Sequence, residues 1–171
     1  MLYCLSGDKG KALPISTIGT VFETSFVISV SLSDIAAAIV RLSACLNLRI
    51  HIIEPCGFNL DDSRFKRVAM DYVKLSEITR YSDFENFKNK NNKSRIILLT
   101  TKAKKFYHEF KFKKNDFLLF GRESAGVPEE VHTSSYESLK VPLSKEARSL
   151  NVAMTVAVVA SEALRQNNFF K

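Results

Sequence analysis

Three loops of this sequence carry small and hydroxylated residues directly after short apolar runs. They are LLTTKA (98–103), FGRESAG (120–126) and VPLSKEARSLN (141–151). Small side chains let a ligand approach the backbone amides closely. Gly121 and Gly126 are spaced as in a phosphate-binding loop, but no Lys-Ser or Lys-Thr pair follows, which argues against a nucleoside triphosphate. One such loop is often only a tight turn, whereas three in consecutive order predict a binding site.

The apolar pattern predicts the elements that place these loops. Strands that are continuous apolar runs and alternate with helices favour a parallel sheet with helices on both faces, an α/β fold of one domain. In such sheets ligands bind beyond the carboxyl ends of the strands. Residues 1–25 show no periodicity, so we assign the domain to residues 26–171. We predict strands at 26–32, 48–55, 95–100, 116–120 and 138–143, and helices at 33–47, 61–72, 82–90, from Pro128, and at 149–166 with Ser149 as N-cap.

The charge and cysteine content narrow the function classes. The chain has 171 residues and a formal net charge of +7, which favours a polyanionic partner, nucleic acid first. The three cysteines are neither paired nor spaced as metal ligands, so we predict no metal site and a reducing compartment. We expect a cytoplasmic protein, since the N-terminus lacks the apolar core of a secretory signal and the longest apolar run is too short to span a bilayer.

Four segments together resemble the SPOUT superfamily of RNA ribose methyltransferases. They are HIIEPCGFNLDDSRFKRVAMDY (51–72), LLTTKA (98–103), LLFGRESAGVPEEV (118–131) and VPLSKEARSLNVAMTVAVVASEALRQ (141–166). Within the superfamily they are most similar to the small single-domain tRNA 2'-O-methyltransferases that act on the wobble cytidine or uridine. The resemblance implies a deep trefoil knot near the C-terminus, a homodimer, tRNA as substrate and S-adenosylmethionine as methyl donor. The residues that it implies for cofactor binding are Leu99, Thr100, Gly121, Glu123, Val141, Ser149, Leu150 and Asn151.

The resemblance also implies a catalytic role for Arg41. Methyl transfer from a sulfonium needs little acid catalysis, because the leaving group departs neutral. The difficulty is the ribose hydroxyl, which must be held in line and stabilised as an oxyanion. A guanidinium is too weakly acidic to serve as a base, so we expect Arg41 to bind a phosphate and stabilise the developing alkoxide. Without the resemblance, a helix-surface arginine is the simpler interpretation.

The sequence departs from the pattern of the superfamily in two places. Asn-x-Gly is missing before Arg41, as if three residues had been removed between Ala37 and Ala38, and we expect a shortened loop beside the methyl donor. Where many relatives have Ser-Asn, this chain has Ala153 and Met154, and we expect packing to replace a polar contact. Two alternatives to methylation of the wobble nucleotide remain. The protein methylates a ribose elsewhere in tRNA or in ribosomal RNA, or it binds RNA and its catalysis is impaired.

The segment KAKKFYHEFKFKK (102–114) interleaves lysines with aromatic residues. Phosphate contacts and base stacking of this kind suit single-stranded RNA. The alternative is that the aromatic residues belong to the core, because Phe106 and Phe110 also have helical spacing.

Overall fold

The described part of the chain forms one parallel β-sheet. The computed structural model describes residues 25–28, 33–56, 65, 71–73, 77–122 and 126–169. Its strands follow the spatial order β3-β2-β1-β6-β4-β7-β5, and every neighbouring pair is parallel. The strands are β1 (Ser25–Ile28), β2 (Arg49–Ile53), β3 (Ile78–Tyr81), β4 (Ile96–Leu99), β5 (Lys105–Phe106), β6 (Phe117–Phe120) and β7 (Glu137–Lys140). The helices are α1 (Ser33–Cys45), α2 (Phe84–Lys90), α3 (Glu129–Ser134) and α4 (Val152–Gln166).

Both faces of the sheet are buried, and the central strand β6 shows why. All four of its residues are buried, with Leu118 and Phe120 in one cluster and Phe117 and Leu119 in the other. Helices α1 and α4 contribute buried residues to the first cluster, and α2 and α3 contribute buried residues to the second. Successive side chains of a strand point to opposite faces, so a central strand covered on both faces must be apolar throughout. The predicted α/β fold with helices on both faces is confirmed.

Two strands were not predicted from the sequence. In β3 only Tyr81 is buried, and both residues of the short strand β5 are half-buried. These strands lie at the two edges of the sheet. An edge strand is covered less than a central one and therefore lacks the continuous apolar run that marked the others.

Some predicted elements fall partly outside the described residues. Of the helix expected at 61–72, Phe65 and residues 71–73 are described, and they are helical. Of the strand expected at 26–32, residues 26–28 are described, and they are extended. Residues 1–24 lie outside the description, so the domain boundary at residue 26 stays a prediction.

Candidate functional site

A cavity of about 390 Å³ opens at the carboxyl ends of β4, β6 and β7. The three loops singled out in the sequence form its walls, as predicted. Seven of the eight residues expected to bind the cofactor line this cavity: Leu99, Thr100, Gly121, Val141, Ser149, Leu150 and Asn151. The eighth, Glu123, lies outside the described residues. We call this space the cofactor cavity, after the ligand that the sequence resemblance implies for these residues.

The strand register brings the three loops to one place. Strand β4 lies between β6 and β7, with Leu99 aligned with both Phe120 and Leu139. Each of these residues ends its strand or lies next to the end, so the chain leaves all three strands at the same level. The loop after β4 is bound to β7, since the backbone N–H of Thr100 donates to the carbonyl of Leu139 at 2.9 Å.

The glycine loop after β6 folds back on itself. The backbone N–H groups of Arg122 and Gly126 each donate to the other residue's carbonyl, at 3.1 and 2.9 Å. A Cβ placed on Gly121 would come within 2.7 Å of the backbone carbon of Gly126 and of Cγ1 of Val127. Gly121 is therefore required for closing this loop. The first atoms that a side chain at this position would meet therefore belong to the loop itself.

Helix α4 begins at Val152 with Asn151, and not Ser149, as its N-cap. The Asn151 side-chain oxygen accepts from the backbone N–H groups of Ala153 and Met154, at 2.9 and 3.4 Å. Ser149 is exposed at the cavity and makes no recorded hydrogen bond with any described residue. The prediction of Ser149 as the cap was wrong because both residue types cap helices well, and only the chain's path decides between them.

The walls of the cofactor cavity are chemically suited to an adenosine-containing ligand. Leu99, Leu139, Val141 and Leu150 supply aliphatic surface, and hydroxyl groups come from residues such as Thr100. A base needs apolar faces and a few hydrogen-bonding groups at its edge, and cavities of 300 to 1,000 Å³ are typical for such ligands. Lys102 and Lys140 also line the cavity and provide positive charge for an anionic group.

A second cavity of about 470 Å³ adjoins the first. It lies at the carboxyl ends of β1, β2 and β6, beside the first turns of α2 and α3. The two cavities share Phe120, Arg122, Gly126 and Val127. The Arg122 guanidinium donates to the carbonyl of Pro55 at 2.6 Å, which places this cation at the junction.

Arg41 lies elsewhere on the chain. It is exposed on α1, with the carbon of its guanidinium 5.1 Å from the centre of the Tyr72 ring. It lines neither of the two cavities. The structure therefore does not place Arg41 at the cavity that the predicted cofactor-binding residues line. The catalytic role of Arg41 stays a prediction.

The position before Arg41 where Asn-x-Gly is missing lies inside a helix. Helix α1 runs without interruption from Ser33 to Cys45, so Ala37 and Ala38 both lie inside it. Ala36 and Ala37 are fully buried in the core cluster. The three consecutive alanines favour a continuous helix and a close approach to the sheet. Residues 29–32, which precede α1, lie outside the described residues, so the expected shortened loop beside the methyl donor stays a prediction.

The expectation that Ala153 and Met154 replace a polar contact by packing is confirmed for only one of the two residues. Ala153 is 8 % exposed and packs in the core, as expected, whereas Met154 is 57 % exposed. Packing within the chain therefore replaces a polar contact at Ala153 alone.

The aromatic residues of 102–114 divide between core and surface. Phe110 and Phe112 are buried in the core cluster, although they lie in an extended segment and not on a helix. The half-buried Phe106 stacks on His108 with centroids 5.6 Å apart, and the Lys140 ammonium lies 5.0 Å from its ring centre. Base stacking on Phe110 or Phe112 is thus excluded, and the core interpretation holds for these two residues.

Two other properties concern only the described part of the chain. There, no group of three or more His, Cys, Asp or Glu residues is close enough to hold a metal ion. The helices in these ranges are also too short or too polar to cross a membrane.

Sequence comparison identifies the family. A model of the SpoU rRNA methylase family matches residues 34–161, which include both predicted departures and all three loops of the cofactor cavity. The chain belongs to the SpoU rRNA methylase family. The matched range spans most of the sheet, all but the first residue of α1 and two thirds of α4.

Individual relatives within this family are moderately similar to the chain. A protein of Ancylobacter novellus named tRNA (cytidine(34)-2'-O)-methyltransferase is 42% identical over 137 residues, covering 79% of this chain and 87% of the relative. A protein of Beijerinckia indica with the same name is 46% identical over 128 residues, covering 74% and 80%. A solved structure described as "Structural insights into the 2-OH methylation of C/U34 on tRNA" superposes with a TM-score of 0.80 at 32% identity, covering 85% of this chain and 95% of that one.

Proposed function

We propose that this protein transfers a methyl group from S-adenosylmethionine to the ribose 2'-hydroxyl of the wobble nucleotide, position 34, of tRNA. The observation that carries the proposal is the convergence of three separate loops on one cavity, in a chain of this methylase family. The relatives named for cytidine 34 are matched over most of their length and narrow the substrate to this nucleotide.

The residues of the cofactor cavity bind and orient the donor. The aliphatic side chains of Leu99, Leu139 and Val141 hold the faces of the adenine, and backbone groups of the loops bind its edge. The side-chain oxygen of Asn151 caps α4, which leaves its NH₂ group to donate to the ligand. Bound S-adenosylmethionine supplies an electrophilic methyl group on a sulfonium. We extend the proposal to Glu123, which directly follows Arg122 in the sequence.

Two arginines are candidates for stabilising the ribose oxygen as it loses its proton. Arg122 lies at the junction of the two cavities, where an acceptor entering the second cavity meets the donor in the first. Arg41 lies outside the cofactor cavity of its own chain. A catalytic role for Arg41 therefore requires the RNA or a second copy of the chain to bring the ribose to it.

We also propose that the protein is a homodimer that contains the trefoil knot of its superfamily and acts in the cytoplasm. Helix α4 supports the dimer, because Met154 and Val158 are 57 % and 36 % exposed one turn apart on the same face. Light scattering should give about twice the chain mass of 19.3 kDa. Replacing Met154 with Lys should produce the monomer, whereas Ser161→Lys, about two turns farther along the same face and already polar, should have a smaller effect.

The function is tested by mass spectrometry of tRNA from cells that lack the protein. One 2'-O-methyl group, on nucleotide 34, should be missing and should return with the wild-type gene. Loss of a methyl group at another ribose would support one of the alternative targets. Calorimetry with S-adenosylhomocysteine in the presence of a chelator should show saturable binding, and the absence of heat at millimolar ligand would contradict the choice of cofactor.

A further inference from the structure

We propose that a lysine-lined cavity beside the cofactor cavity binds a backbone phosphate of the substrate RNA. This lysine cavity has a volume of about 300 Å³. The inference rests on the proposed function, because it assigns the part of the protein that holds the RNA strand. The cavity is lined by Thr100, Lys102, Ala103, Lys104, Lys105, His132, Glu137 and Ser138.

The lysine cavity and the cofactor cavity share a wall. Thr100, Lys102 and His132 line both of them. A ligand in one cavity is therefore next to a ligand in the other. An RNA strand that presents a ribose to the methyl donor carries phosphates on both sides of that ribose, so a phosphate site beside the donor is placed where the reaction needs it.

Two of the three lysines have charge available for a ligand. The Lys105 ammonium lies 3.6 Å from the Glu137 carboxylate, which partly neutralises it. Lys102 and Lys104 are exposed, and neither makes a recorded ion pair with any residue that the structure describes. Exposed ammonium groups without carboxylate partners attract phosphate and release its counterions, and this provides most of the affinity of proteins for nucleic acid.

The backbone under the lysines is held in place by hydrogen bonds. The N–H of Ala103 donates to the Thr100 carbonyl at 3.3 Å, and the N–H of Lys102 lies 3.3 Å from the Thr100 hydroxyl. Strand β5 then pairs with β7, which fixes the position of Lys105 opposite Leu139. Because these hydrogen bonds hold the loop at both ends, the backbone that carries the three lysines is already ordered before a ligand binds. Such preorganisation lowers the entropy lost on binding.

Phosphate fits this surface better than a stacked base. Phe110 and Phe112 are buried, and both Lys140 and His108 already contact Phe106. The polar side chains that line the cavity are the lysine ammonium groups, hydroxyl groups, the His132 imidazole and the Glu137 carboxylate, which lies 3.6 Å from the Lys105 ammonium. The ammonium and hydroxyl groups bind phosphate oxygens and carry no information about base identity. An anionic carboxylate of the cofactor has related chemistry, so the experiment must separate RNA from the cofactor as the ligand of Lys102.

The test compares two double variants with the same loss of charge. Lys102→Gln/Lys104→Gln removes the two uncompensated lysines of the cavity. Lys93→Gln/Lys113→Gln removes two exposed lysines that precede β4 and β6. They lie near the amino ends of these strands, whereas the lysine cavity lies near the carboxyl ends. The affinity for an unmodified tRNA transcript is measured by fluorescence anisotropy between 50 and 200 mM salt, with S-adenosylhomocysteine present. The affinity of each variant for S-adenosylhomocysteine is measured separately by calorimetry.

We expect the first variant to bind tRNA on the order of 10-fold more weakly at 50 mM salt. The slope of log affinity against log salt should fall by roughly 1.5, as for two lost phosphate contacts. The control variant should retain most of its affinity for tRNA and should bind S-adenosylhomocysteine like the wild type. In the first variant, the loss of tRNA affinity should clearly exceed any loss of S-adenosylhomocysteine affinity, because Lys102 also lines the cofactor cavity. Equal losses in the two variants would overturn the proposal, because only the total charge would then matter. A selective loss of S-adenosylhomocysteine affinity in the first variant would also overturn it and assign Lys102 to the cofactor.

The outcome can be separated from the fate of the proposed function. If the wild type methylates tRNA and the cavity variant binds RNA normally, the phosphate site fails while the function stands. If the wild type transfers no methyl group but the cavity variant alone loses RNA affinity, the site stands and the proposed reaction fails.

Discussion

Arg95 and Asp116 form a two-point ion pair at the amino ends of the two central strands. The Arg95 Nε and Nη2 atoms donate to the two carboxylate oxygens of Asp116 at 2.8 and 2.6 Å. Asp116 is 1 % exposed, and its Oδ2 also accepts from the backbone N–H of Lys113 at 2.8 Å. The two residues directly precede β4 and β6, whose opposite ends form the cofactor cavity. The pair therefore aligns the strands on which the cavity depends.

Removing the charge of Asp116 should destabilise the protein strongly. Asp116→Asn leaves the mostly buried Arg95 guanidinium without its counter-charge, and breaking a buried pair in this way costs about 3 kcal/mol or more. The free energy of unfolding is measured by urea denaturation. The matched control is Arg165→Ala, which removes an equally short two-point pair with Glu162 on the exposed side of α4. The control should unfold almost like the wild type, and similar losses in both variants would contradict the importance of burial.

His51 should make the folded protein sensitive to acid. Its ring lies among Tyr81, Phe87 and Phe117, with Nδ1 2.9 Å from the Tyr81 hydroxyl. Its Nε2 is buried without a partner in the described structure. Burial, aided by the charge of Arg49 and opposed by that of Glu77, lowers the pKa of His51 from 6.5 to about 4.

The direction of the pH dependence follows from that shift. The unfolded chain takes up a proton on His51 near pH 6.5, and the folded chain does so only near pH 4. The contribution of His51 to the free energy of unfolding should therefore be constant above pH 6.5 and fall by up to roughly 3 kcal/mol between pH 6.5 and 4. His51→Leu should lose this part of the pH dependence in urea denaturation at pH 7.5, 6 and 5. An unchanged difference between variant and wild type at all three pH values would refute the assignment.

Gly121→Ala should weaken cofactor binding by at least about 10-fold, because even one added carbon meets the backbone of Gly126 at 2.7 Å. The matched control is Gly126→Asn. A Cβ at Gly126 has no atom within 4 Å, and asparagine tolerates its φ of +65°. Calorimetry with S-adenosylhomocysteine measures both variants. If Gly126→Asn loses as much affinity as Gly121→Ala, the loop contact is not the reason for the glycine.

Arg41 and Arg122 should be distinguishable by single-turnover methyl transfer to tRNA. Loss of the arginine that stabilises the ribose oxygen should slow transfer by roughly 100-fold, with unchanged affinity for S-adenosylhomocysteine. Arg41→Lys should rescue little if Arg41 has this role, because an ammonium does not reproduce the planar guanidinium. If Arg41→Ala leaves the rate of methyl transfer unchanged and Arg122→Ala lowers it, Arg122 is the residue that stabilises the ribose oxygen. Two silent variants would exclude both residues.

Inserting Asn-x-Gly between Ala37 and Ala38 should not restore a catalytic loop, since this site lies inside α1. Three extra helical residues rotate the two parts of the helix by about 300° relative to each other, which misaligns Ala36 and Ala37 with the core. We expect a large decrease in the thermal unfolding temperature. A stable variant with increased turnover would show that the helix is not essential there.

The sequence alone determined the central strands and the small-residue loops that follow them. Strands β4 and β6 are apolar at every position because both of their faces are covered. A continuous apolar run of this kind can be found in the sequence without knowing which elements cover it. The small residues after these strands could be found for the same reason, since each loop starts where an apolar run stops. Seven of the eight predicted cofactor residues consequently line one cavity.

Tertiary structure decided what depends on neighbours distant in sequence. Edge strand β3 pairs on one side and lacks an apolar run, so its position was set by β2 and not by its own residues. The choice of Asn151 over Ser149 as helix cap was decided by the path of the chain, because both side chains can accept the same hydrogen bonds. Packing likewise buried Phe110 and Phe112 while it left Lys102 and Lys104 exposed beside the cofactor cavity. Proximity between loops arises from strand order, and strand order is a property of the whole sheet.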